Sequence, residues 1–168
     1  ASKPVMEGKG VLFKKMADLD VFDIEINEEN PDKLIDIIVA ISPTFGAINL
    51  EDIRAPDCFY IESELRKRLN IPIIHDDQHG TAIVTAAAFL NGLRVVNKKM
   101  ADIKLVSTGG GAAGIACLNL LMSMGVKREN IWLVDHLGVI FEGREEEMNP
   151  HKASFAQATD ARTLSEVI

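Results

Sequence analysis

The chain has 168 residues, 47% hydrophobic and 26% charged, proportions of a globular protein with a sizeable core and not of a disordered one. Its net charge of −7 comes with no basic block, which argues against nucleic-acid and anionic-membrane partners. Apolar runs are too short to span a bilayer and no signal peptide is visible, so a cytoplasmic protein is expected.

In chain order, VFDIEI (21–26) reads as a strand. Asn30-Pro31-Asp32 then opens a helix, with Asn as N-cap and Pro at its first position, and KLIDIIVAI supplies its apolar face. GAINL (46–50) is the next strand and ends in Glu51-Asp52. Pro56-Asp57 starts a second helix. IPII (71–74) is a third strand, followed by a long Ala-rich helix from about Gly80 to Val96.

IKLVST (103–108) is a fourth strand, leading into GGGAAG and the helix IACLNLLMSMG. IWLVD (131–135) is a fifth, before a polar loop containing Glu145-Glu146-Glu147 and a short amphipathic helix near KASFAQ. Alternating strands and helices predict an α/β fold with mainly parallel sheets and flanking helices. Cys58 and Cys117 lack CxxC or zinc-type spacing and read as buried free thiols.

Gly109, Gly111 and Gly114, with Ala112 and Ala113 before the last, follow a strand and open a helix as GxGxxG. In that setting the glycines serve a tight turn, close approach to a pyrophosphate, and close packing of helix on strand. The helix N-terminus adds amide donors and positive dipole. Asp135 ends the next strand, roughly 20 residues past Gly114, where an acid binds the adenosine ribose. Together these favour a dinucleotide site over a glycine-rich turn with a capping Asp.

Glu51-Asp52 and Asp76-Asp77 each directly follow a strand, at the edge where loops of parallel sheets converge on a ligand. Four carboxylates in one crevice need a cation between them, and oxygen donors suit Mg²⁺ or Mn²⁺. Solvated or helix-capping acids fit the spacing equally well. His75 and His79 bracket the later pair and read as hydrogen-bonding or capping groups rather than ligands. Lys9, between two glycines in EGKG, reads unaided as a solvated charge in a glycine loop.

With PVMEGKGVLFKK, INLEDI, HDDQHGTA and GGGAAGIACLNLL in this order, the whole chain resembles the malic enzymes, especially the bacterial type. That resemblance implies oxidative decarboxylation of malate to pyruvate and CO₂ with NAD or NADP and Mg²⁺ or Mn²⁺. It implies Glu51, Asp52 and Asp77 as metal ligands, with Asp76 beside them, and Lys9 and Asp77 as catalytic residues. The cofactor-binding residues become Gly109, Gly111, Ala112, Ala113, Gly114 and Asp135.

The implied organisation is residues 1–80 as part of a metal- and substrate-binding α/β domain, 81–97 as a connecting helix, and 98–168 as the start of a Rossmann domain. The family's general-acid tyrosine has no counterpart here, since Tyr60 lies after the Glu-Asp pair. An incomplete chain is therefore expected. The partners implied are malate and pyruvate, with no nucleic acid or membrane, in a homo-oligomer such as a dimer. A malolactic enzyme, or a non-catalytic fragment that binds metal and nucleotide, is the alternative. His136-Leu137 follows Asp135 where a basic residue would suit a 2′-phosphate; Asp135 favours NAD electrostatically, while the family keeps an acid there with NADP also.

Overall fold

A computed structural model describes residues 3–168, which divide into two compact units, one up to Ile74 and one from His75 onward. The first contains helices α1 (Lys3–Ala17), α2 (Pro31–Ile41) and α3 (Asp57–Arg68) and strands β1 (Ile48–Leu50) and β2 (Ile73–His75), whose last residue crosses into the second. The second contains α4 (Asp76–Val95), β3 (Leu105–Thr108), α5 (Ala112–Ser123), β4 (Ile131–Asp135), β5 (Gly138–Val139) and the short helices α6 (Pro150–Ala153) and α7 (Leu164–Val167). Strands and helices alternate as the sequence leads one to expect, and the fold is α/β.

In the first unit α2 begins where its sequence says it should. The Asn30 side chain accepts hydrogen bonds from the amides of Asp32 and Lys33, and Pro31 occupies the first turn, where a missing N–H costs nothing. Ile35 and Ile38, three apart, bury one stripe of α2 against Ile61 and Leu65, four apart on α3. Leu50 and Ile73 close this core from the paired strands β1 and β2. Each such side chain contributes about 1.5–3 kcal/mol by leaving water.

In the second unit β3 and β4 are parallel, with Leu105 opposite Ile131 and Thr108 opposite Val134. The α5 crossover between them is the unit that presents strand ends to a ligand. Gln78, Ala82 and Ala86 are buried at four-residue spacing on α4, and the small alanines allow close packing on α5. Strand β5 turns back antiparallel on β4. The sequence pattern did not reveal this hairpin. Among the described residues no helix is long and apolar enough to cross a membrane.

Four local expectations are corrected. Residues 21–26 form no strand; they lie in an irregular segment with Phe22 70% exposed. Alternating residues make a strand only when another strand takes up their backbone hydrogen bonds. Lys9 lies within α1 and not in a glycine loop. Helix α4 starts at Asp76 and not near Gly80, so both acids sit in its first turn, the end whose dipole favours negative charge. Cys58 is buried as expected, whereas Cys117 is half-buried.

Candidate functional site

The glycine-rich loop lies between β3 and α5. Gly109 has φ +99°, a left-handed conformation suited to glycine, and its amide donates to Val134 O at 2.7 Å, tying the loop to β4. Gly111 stands at the N-cap of α5 and offers no side chain to the amides of the first turn, those of Ala112, Ala113 and Gly114 among them. A Cβ on Gly114 would fall 2.0 Å from Gly109 O. The third glycine therefore lets the helix lie directly on the loop, so the tight turn and the close packing read from the sequence are both present.

At the end of β4 the Asp135 carboxylate, 5% exposed, is gripped from two sides. Arg144 donates to both of its oxygens at 2.9 and 2.8 Å, and Lys152 Nζ donates to Oδ2 at 2.8 Å. The Leu137 amide adds a bond of 3.0 Å to Oδ1. Burial alone would push this carboxyl up; the hydrogen bonds from Arg144, Lys152 and Leu137 outweigh it and hold the pKa at about 2. Arg144 is itself fixed by the carbonyls of Gly138 and Val139, and Lys152 by that of Glu147.

One acid thus faces two buried cations, an excess of one positive charge. The Lys152 stem also packs over the glycine loop, 3.0 Å from where a Gly110 Cβ would stand. Beside this network opens a cleft of about 670 Å³, lined by Thr108, Gly109, Asp135, His136, Gly138 and Arg162. Arg144 and Lys152 escaped the sequence reading. They lie in an aperiodic loop, where no spacing rule connects them to the acid.

In the first unit, the Glu51 side chain is 4% exposed and accepts from Lys9 Nζ at 3.3 Å and from Asn49 Nδ2 at 3.0 Å. Residues far apart in the sequence thereby meet. Asp52 follows in a left-handed conformation, φ +56°, which Asp tolerates better than most residues. A cleft of about 330 Å³ opens here, lined by Met6, Asn49, Glu51, Asp52, Arg54 and Asp57.

Asp76 and Asp77 belong to the second unit, in the first turn of α4. The Asp76 carboxylate lies where a Cβ on Gly80 would be, 2.2 Å from Oδ1, so this helical glycine makes room for it. His75, fully buried, has Nδ1 3.9 Å from Asp77 Oδ2. Among the described residues no three His, Cys, Asp or Glu side chains are grouped to hold a metal. Within the first unit, Glu51 and Asp52 are adjacent carboxylates, oxygen donors of the kind that suits a hard cation.

Comparison with known proteins decides the family. Residues 78–168 match the model "Malic enzyme, NAD binding domain", and residues 27–66 match "Malic enzyme, N-terminal domain". The chain belongs to the malic enzyme family. It is 63% identical to the NADP-dependent malic enzyme of Haemophilus influenzae over 93% of this chain and 21% of that protein. It is 56% identical to the NAD-dependent malic enzyme of Rhizobium meliloti over 100% of this chain and 22% of the relative.

The crystal structure of the NAD-dependent malic enzyme from Thermotoga maritima superposes with a TM-score of 0.87 at 43% identity, covering 99% of this malic enzyme chain and 43% of that one. The chain spans about a fifth of the length of the first curated relatives it matches.

Proposed function

We propose that this chain carries the metal- and nucleotide-binding part of an enzyme that oxidatively decarboxylates malate to pyruvate and CO₂ while reducing NADP. The observation that carries the reading is the meeting of Lys9 with Glu51 at 3.3 Å. It sets a candidate proton acceptor against a candidate metal ligand. Glu51, Asp52 and Asp77 would hold Mg²⁺ or Mn²⁺. When bound, the cation polarises the oxygen on the carbon being oxidised, and the nucleotide supplies the hydride acceptor.

The chain's own groups do the rest. Lys9 Nζ accepts the proton of the substrate 2-hydroxyl. The α5 first-turn amides, left open by Gly111, bind the pyrophosphate. Asp135 with Arg144 and Lys152 receives the adenosine ribose. The cytoplasm and assembly with further copies of the chain belong to the same reading.

The excess positive charge at Asp135 supports NADP over NAD. A lone acid would repel a 2′-phosphate, whereas two buried cations on one acid leave a charge for it to meet. In the complete polypeptide, malate, Mn²⁺ and each nucleotide should give reduced nucleotide by absorbance, and Lys9→Ala should abolish it. Lys152→Gln should raise the KM for NADP by about tenfold or more, the loss of one charge-assisted bond, with the KM for NAD little changed. Absence of any malate-dependent reduction would remove the reading. Equal effects on both nucleotides would remove the NADP assignment.

A further inference from the structure

His75 is the last residue of β2, and its side chain is completely buried. Among the described residues, neither ring nitrogen has a hydrogen-bond partner. It occupies the N-cap position of α4 in extended conformation, φ −111° and ψ 107°, yet its side chain makes no capping bond. Helix capping, one of the two roles the sequence suggests, is therefore excluded for it. A buried polar group left unpaired costs about 1–3 kcal/mol, a penalty that an aliphatic residue at the same place would avoid. The carboxylate across from Nδ1 is that of Asp77, with Oδ2 3.9 Å away. That distance is too long for a hydrogen bond, and a closure of about 1 Å makes it one. The Asp77 side chain is 40% exposed.

We infer that His75 is a positioning residue, holding the Asp77 carboxylate through a hydrogen bond from Nδ1–H in the orientation in which Asp77 takes a divalent cation. The inference rests on the reading of Asp77 as a metal ligand. A carboxylate oxygen held by an N–H leaves its other oxygen directed at the ion and loses less rotational freedom on binding. Partners of this kind typically govern 10–100-fold of metal affinity.

The test measures Mn²⁺ binding to the complete polypeptide by the fall in the free-ion EPR signal, with no turnover needed. His75→Leu should weaken Mn²⁺ by about 10–100-fold. His75→Asn, whose Nδ2 stands where Nδ1 does, should restore most of that loss. His75→Gln, whose amide stands nearer Nε2, should not. Unchanged affinity in His75→Leu, or equal rescue by Asn and Gln, overturns the inference, and the Asn–Gln comparison still decides if the Leu variant fails to fold. Asp77→Ala is run alongside. If it binds Mn²⁺ normally, the ligand assignment itself falls; if it loses Mn²⁺ while His75→Leu does not, only the role of His75 falls.

Discussion

Single residues carry much of the specification here, and Gly114 shows how. Alanine normally favours a helix over glycine by about 1 kcal/mol, so propensity alone predicts that Gly114→Ala stabilises α5. The structure reverses the sign. The added Cβ would meet Gly109 O at 2.0 Å, a backbone atom that cannot rotate away. Helix and loop must part, at a cost of about 1–3 kcal/mol for overpacking, and the amides that face a pyrophosphate move with them. Gly114→Ala is therefore expected to lower thermal stability and weaken nucleotide binding by calorimetry at least tenfold. A variant as stable and as tight as the parent would show that the contact is not maintained. The glycine was legible in the sequence because its motif encodes a local backbone contact. Lys152 was not, because its meeting with Asp135 depends on the path of the intervening loop.

Elements were legible where the signal was local and complete. The start of α2 is spelled out by Asn30-Pro31-Asp32, and the helix begins there. Asn30 accepts from two amides at 3.0 and 3.1 Å, so Asn30→Ala should cost about 1 kcal/mol. Asn30→Asp should cost little, since it keeps the acceptor. Urea unfolding of the two variants checks this, and equal losses in both would assign the effect to something other than the cap.

Strand β4 was likewise read with its true ends, because IWLVD is a continuous apolar run that ends in an acid. VFDIEI, with its acids interleaved, remains irregular, since periodicity does not supply a partner strand. For α1 the flanking glycines of Lys9 suggested a loop. The helix nevertheless runs through them, and Gly10 is small enough to leave room for Asp23, whose Oδ1 would be 2.9 Å from an added Cβ. The start of α4 was misplaced by the acids themselves. HDDQ reads as a polar loop, yet acids in a first turn are favoured by the dipole.

On the scale of the molecule, the two units keep separate cores, and acid should act on the second through an identifiable group. Two carboxyls, those of Asp135 and Glu166, are held down at about 2, and both lie in the second unit. Glu166 is held by the backbone and side chain of Thr163 and the amide of Arg162 at the surface. Asp135 is the buried one and carries the energy. Its carboxyl binds a proton more readily when the chain is unfolded, near the usual 3.8, than when folded. Its contribution is therefore complete above about pH 4 and is lost as the pH falls toward 2. The difference amounts to about 2 kcal/mol at neutral pH.

A general effect runs alongside: below its pI of about 5.1 the chain becomes net positive, and self-repulsion loosens every part of it. Asp135→Asn separates the two. The variant keeps the shape and the repulsion but loses the titration, and it strands Arg144 and Lys152 as buried cations. It should therefore be less stable at pH 7, by about 3 kcal/mol, and lose less on going from pH 4 to pH 2. Trp132, the only tryptophan of the chain, lies on β4 three residues from Asp135 and reports the second unit by fluorescence in urea. Parallel pH curves for parent and variant would mean that the acid sensitivity arises from net charge and not from the Asp135 network.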